Sequence, residues 1–302
     1  MDGDGSPVAA KRLIVVRLSR NQKKFGTLQR DLPFLKDVID YRLTKHPRIY
    51  LFVERFRTWV NWDKRVYLSF VRKGDFVLDV GANVGAHAIF LSHLVGEEGS
   101  VLAFEPLPSN VDALHETIER RSRIANIRII QTAVGNPDGS TETVTMRSPD
   151  DDLTQASLHA QSAGSWQGAR ELREFTVSLI ALDALKEVRD LRQIHFIKID
   201  VEGGELDVLE GARTILRKHH PLVYCEVYQK WLATFGYAPG DLFHFMATMG
   251  YDGARAISKG KVTPLLVDEP VPNGLFDTSS DVLFFAEQHS PMVAAFDRRY
   301  LE

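Results

Sequence analysis

The sequence predicts an α/β fold on an open, mostly parallel sheet, and three observations carry that prediction. The run Phe76-Val77-Leu78-Asp79-Val80 ends in a turn with Gly81 and Gly85, and Val84, His87, Ala88, Leu91 and Leu94 then follow a helical period. A strand, a glycine-rich turn and a helix begin a nucleotide-binding βαβ unit. A second run, Val101 to Phe104, leads into Glu105-Pro106, so a carboxylate lies 20 residues beyond Gly85. At that offset an acid accepts hydrogen bonds from ribose hydroxyls. From there to Ala286 short apolar runs alternate with helical periods, the pattern of a sheet with helices on both faces.

Element by element, strands are expected at Phe76–Val80, Val101–Glu105, Ile127–Gln131, Phe196–Asp200, Leu222–Glu226, Tyr251–Ala256 and Asp281–Ala286, a seven-stranded sheet. Helices are expected at Val84–Val95, Ser109–Arg120, Leu206–Lys218 and Gly240–Met249, and before the sheet at Leu32–Phe56, with Pro47 as a break, and Trp62–Val71. The last strand is followed by no obvious crossover and can insert antiparallel. A β-insertion separates the third and fourth strands (132–194), with a hairpin at Thr141–Arg147 and Glu174–Ile180. Its polar loop, Ser148 to Arg173, has the length of a lid over an acceptor site. Three parts follow: a helical and extended N-terminal extension (1–72), the α/β domain (73–290) and a C-terminal tail (291–302).

Composition narrows the function. Lys and Arg number 37 against 40 Asp and Glu, a net charge of −3, which disfavours a nucleic-acid partner held by global charge. No apolar run reaches the roughly 18 residues of a membrane span. Cys225 is the only cysteine and no secretory signal is evident, which fits a cytoplasmic protein. Oligomeric state is left open.

The turn chemistry points to a ligand. Dinucleotide sites use G-x-G-x-x-G against a pyrophosphate. Here the pattern is Asp79-x-Gly81-x-x-x-Gly85. An acid ahead of the turn disfavours a pyrophosphate and favours an ammonium group. S-adenosylmethionine (SAM) carries an ammonium, a sulfonium and an adenosine, so Asp79 and Glu105 suit it better than a nicotinamide dinucleotide.

Four strings occur in order: Val77-Leu-Asp79-Val-Gly81-Ala-Asn83-Val-Gly85, Phe104-Glu105-Pro106, Ala133-Val134-Gly135-Asn136 and Ile197-Lys198-Ile-Asp200-Val-Glu202-Gly-Gly-Glu205. Together they resemble the FkbM family of SAM-dependent methyltransferases, over roughly Lys73 to Arg255. The resemblance implies a Rossmann-like class I methyltransferase fold and methyl transfer to hydroxyl oxygens of sugars, glycans or polyketide-like molecules. It implies that Asp79 faces the methionine ammonium, and that Gly81, Ala82, Asn83 and Gly85 line the methionine and ribose. Glu105, before Pro106, would accept the ribose hydroxyls, and Ala133 and Val134 would wall the adenine.

A hydroxyl attacks well only if its proton leaves as it attacks. Asp200 and Glu202, on the turn after the fourth strand, lead the candidate bases, with Glu226 and His159 behind them. A divalent metal could replace the base; the acids, including Asp150-Asp151-Asp152, allow one but the sequence does not require it. The rival functions are N-methyl transfer to a small molecule or protein, and a nicotinamide-dependent oxidoreductase.

Overall fold

The structure is a computed structural model, and it describes residues 61–119, 125–137, 139, 141–149, 155–159, 166 and 171–301. The helix expected at Leu32–Phe56 and the acids Asp150 to Asp152 lie outside the described residues. Helix α1 (Trp62–Phe70) starts where Asn61 Oδ1 accepts the Lys64 N–H at 3.0 Å, a side-chain N-cap. Strand β1 (Phe76–Val80), helix α2 (Ala86–Val95), strand β2 (Ser100–Phe104), helix α3 (Pro108–Glu119) and strand β3 (Ile127–Ile130) follow as two βαβ steps. The insertion forms its own sheet: β4 (Ala133–Val134) pairs in parallel with β6 (Leu172–Ile180), which pairs antiparallel with β5 (Thr141–Pro149).

Helix α4 (Lys186–Arg189) leads into β7 (Phe196–Ile199). The single helix expected over Leu206–Lys218 is two, α5 (Glu205–Glu210) and α6 (Arg213–His219). Asp183 makes the break. Its N–H takes the Gly211 carbonyl at 2.9 Å, and its carboxylate accepts the Thr214 and Ile215 N–H groups at 2.7 and 3.0 Å. A new helix start is thereby capped in mid-run. Then come β8 (Leu222–Val227), α7 (Gln229–Leu232), α8 (Pro239–Thr248), β9 (Gly253–Ser258), β10 (Lys261–Leu266), β11 (Ser280–Phe285) and α9 (Ser290–Tyr300).

The main sheet has eight strands in the order β10-β9-β11-β8-β7-β1-β2-β3, one more than expected. The addition is β10, an edge strand antiparallel to β9 that contains Pro264. Proline supplies no ladder donor, so it hides a strand in the sequence and is tolerated at an edge. β11 runs antiparallel between β8 and β9, and β1, β2, β3, β7 and β8 are parallel.

Alternate residues of each strand enter opposite cores. Leu78, Val80 and Ile197 pack with Val208, Leu216 and Met246 on one face. Val77, Phe196, Tyr224 and Leu283 pack with Tyr67, Leu91 and Phe296 on the other. The chain leaves β1 toward β2 and β3 and leaves β7 the opposite way, toward β8. Between the C-terminal ends of β1 and β7 the direction reverses, and a crevice opens there, where open α/β sheets bind ligands. Among the described residues no helix is long and apolar enough to cross a membrane.

Candidate active site

A cavity of about 480 Å³ occupies that crevice, within the range of small-molecule sites. Two turns frame it. In the turn after β1, Gly81 has φ +79°, and a Cβ there would lie 1.9 Å from the Asp200 carbonyl oxygen. Only glycine lets the ends of β1 and β7 approach so closely. Asn83 (φ 51°) and Glu202 (φ 58°) hold left-handed backbone on the two facing turns, a strain that structures retain at ligand sites.

Glu105 is the hub of the cofactor side. Its Oε2 accepts the Asn83 N–H at 2.8 Å, and its Oε1 accepts the Leu107 N–H at 3.0 Å and Asn110 Nδ2 at 3.1 Å. It is buried, and burial raises its pKa against those hydrogen bonds. Gly81, Ala82, Asn83, Glu105, Pro106, Ala133 and Val134 all line the cavity, as do Asp200, Glu202 and Glu226.

Three expected residues do not line it. Asp79 is fully buried on the α1 face of β1, with its Oδ1 3.6 Å from Lys198 Nζ. The cause is register: Asp79 and Lys198 are direct partners on β1 and β7, so their side chains share a face. Lys198 faces that carboxylate across the strand pair. Gly85 serves packing, since a Cβ there would sit 2.0 Å from Leu114 Cδ1. His159 stands behind the wall, its ring edge-on to Phe235 at 4.4 Å.

The carboxylates at the other end differ in charge. Lys198 Nζ lies 3.1 Å from Asp200 Oδ2, and this ammonium holds Asp200 below the usual range although burial opposes it. Lys198 is itself held charged by Asp200 and Asp79, against its own burial. Burial, then the nearby Asp200 and Glu226, pushes Glu202 up to about 10. Burial and Asp200 raise Glu226 to about 7, while Ser279 Oγ donates to its Oε1. Oxygens of Asp200, Glu202 and Glu226 lie within 4.8 Å of one another, a spacing a divalent cation accepts.

Among the wall residues to which sequence reasoning assigned no role are Lys198, His87, Trp231 and Phe235. Lys198 was legible only as part of a motif and His87 as one position of an apolar helix face. Trp231 and Phe235 follow β8 in a stretch without a motif. From the insertion, Met146, Gln155, Ala156 and Leu158 also reach the cavity. Ser157 anchors that segment: its backbone bridges Arg147 at 2.8 and 2.9 Å, and its Oγ donates to the Glu202 carbonyl at 3.0 Å.

The residues present fit SAM. Acids at one end suit an ammonium and a sulfonium, Glu105 suits a ribose, and Ala133, Val134, Met146 and Leu158 offer an apolar wall to a purine. Comparison with known proteins agrees. Methyltransferase 1 of Beauveria bassiana is 26% identical over 181 residues, covering 57% of this chain and 72% of that protein. The hexuronic acid methyltransferase AglP of Haloferax volcanii is 30% identical over 153 residues, covering 51% of this chain and 56% of its own. The 31-O-demethyl-FK506 methyltransferase FkbM of Streptomyces tacrolimicus is 30% identical over 164 residues, covering 47% and 61%. The latter two are thus matched over less than two thirds of their length. Residues 79–252, more than half of the chain, match the family model for the methyltransferase FkbM domain. The chain belongs to the FkbM family of SAM-dependent methyltransferases.

Proposed function

We propose that this chain methylates a hydroxyl oxygen on a sugar, glycan or polyketide-like acceptor, with Glu226 as the base. The observation that carries the reading is the pair Asp200 and Glu226 at the ends of adjacent strands, on one cavity but with different proton affinities. Two carboxylates pushed apart in pKa divide the labour of acid–base chemistry. Glu226, raised to about 7, is poised to take the hydroxyl proton near neutral pH. Asp200 stays ionised beside Lys198 and orients the acceptor. Glu202, raised to about 10, keeps its proton and donates a hydrogen bond. Bound SAM supplies a methyl carbon already activated by its sulfonium. Trp231 and Phe235 give the acceptor an apolar wall.

Relatives named for a hexuronic acid and for a 31-O-demethyl compound support a hydroxyl-bearing acceptor. The single, buried Cys225 supports a reducing, cytoplasmic setting. The test is Glu226→Gln, assayed with a panel of glycan and polyketide acceptors. A general base contributes about 10²–10⁴-fold, so kcat should fall by that factor while SAM still binds. The wild-type rate should rise with pH through about 7, and the variant should lose that limb. Activity abolished by EDTA and restored by Mg²⁺ would make the three carboxylates ligands and remove the base assignment.

A further inference from the structure

The acceptor end of the cavity is made where two strand ends meet an aromatic pair. β7 and β8 run in register with Ile199 opposite Cys225, so Asp200 and Glu226 follow as neighbours. One oxygen of each, with one of Glu202, lie within 4.8 Å of one another. Gly203, next after Glu202, has φ +109°, and a Cβ there would lie 2.9 Å from both the Trp231 carbonyl oxygen and Phe235 Cε2. The missing side chain seats Trp231 and Phe235 directly on the acid-bearing turn. Tyr228 braces the indole edge to face at 5.4 Å.

Trp231 adds an observation independent of the acids. It lines the cavity, and its Nε1–H is buried with no hydrogen-bond partner among the described residues. A buried donor left unpaired is costly, and native structures keep few of them. An oxygen of a bound acceptor relieves that cost. This end of the cavity therefore combines carboxylates, which accept from hydroxyls, an N–H, which donates to an oxygen, and aromatic carbon. Charge narrows the choice further. Lys198 is the only lysine or arginine among the described residues of the wall, and it is held by Asp79, Asp200 and the Gly81 carbonyl. An anionic acceptor placed here would face ionised Asp200 without a counter-charge of its own.

We infer that the acceptor is a neutral sugar with two free hydroxyls on adjacent ring carbons. Glu226 takes the proton of one hydroxyl while its oxygen bonds to the methyl carbon and the carbon–sulfur bond of SAM breaks, and Glu226 then passes that proton to solvent. The neighbouring hydroxyl donates to Asp200 and keeps its proton. Trp231 donates to a further sugar oxygen, and the C–H face of the ring packs on Phe235. The inference rests on the O-methylation reading and narrows its acceptor.

The test is methyl transfer from SAM to the methyl glycosides of glucose, galactose and mannose, to the uronate and monodeoxy analogues of each, and to a hydroxylated macrolide lactone. At least one neutral glycoside should be methylated, with kcat/KM roughly tenfold or more above that of its uronate. Removing the hydroxyl beside the methylated one should lower kcat/KM roughly ten- to hundredfold, the value of a charged hydrogen bond. Asp200→Asn should shrink that preference for the diol. Trp231→Phe keeps a ring but no N–H and should raise KM. In nitrogen-labelled protein with S-adenosylhomocysteine, the glycoside should move the indole signal that Trp231→Phe deletes. A uronate or deoxy analogue used as well as its parent overturns the inference, as does an unchanged diol preference in Asp200→Asn or an unchanged KM in Trp231→Phe. Methylation of the macrolide alone overturns it and leaves the O-methylation reading standing. Methylation of none of them, with S-adenosylhomocysteine still bound, overturns both.

Discussion

Glu105 ties three segments together through one carboxylate: the turn after β1, the backbone at Leu107 and the start of α3. Losing it would free the Asn83 turn and remove the carboxylate we propose as the ribose acceptor. Glu105→Ala should weaken SAM binding by roughly ten- to hundredfold, the value of a charged hydrogen bond. Calorimetry checks this; binding at the wild-type level would end the ribose assignment. Glu105 was readable because its distance from the glycines is set by one helix and one strand. Lys198 was not, because a lysine inside the run Phe196–Ile199 makes sense only once Asp79 is known to be its partner on β1. His87 has the period of a buried helix face, and only the fold brings its Nδ1 within 2.8 Å of Tyr67 Oη.

The turn from β7 into α5 is an element with its own pH response. Glu205 is buried there, and its Oε1 accepts the Val201 and Gly203 N–H groups, both at 3.2 Å. Burial raises its pKa to about 8 against those bonds. The unfolded chain releases this proton near pH 4.3, whereas the folded chain holds it to about 8. The contribution is therefore full below the unfolded value and is lost as pH rises through the folded one. The melting temperature of the ligand-free protein should fall between pH 5 and 8.5. Glu205→Gln should flatten that fall without abolishing it, since Glu226 and Glu202 act with the same sign. An unchanged slope would mean that Glu205 ionises normally. At this scale the central strands were legible because each is a short apolar run between turn residues. The break between α5 and α6 was not, because Asp183, which makes it, comes from a distant part of the chain.

Helix α9 shows how much of the molecule lies beyond its motifs. The stretch after residue 290 offered nothing to place, yet Val293 and Phe296 are buried in the same core as α1. Arg255 on β9 holds Asp297 through two contacts, Nε to Oδ1 at 2.8 Å and Nη2 to Oδ2 at 2.6 Å. Phe296 packs against Phe70 and Tyr300 with centroids at 5.2 and 4.7 Å. Phe296→Ala should cost about 3–5 kcal/mol, the range for truncating a buried aromatic side chain. Urea denaturation measures the loss, and a value under 1 kcal/mol would show that α9 is loosely seated. The place of β11 between β8 and β9 also bears on how the protein is made. A ribosome delivers β8 and β9 well before the strand that belongs between them. Until Phe285 emerges, each nascent strand presents an unfilled edge, and direct pairing of the two would trap a wrong sheet. The nascent chain must hold that slot open until β11 arrives, so a long-range insertion between two strands made earlier completes the sheet.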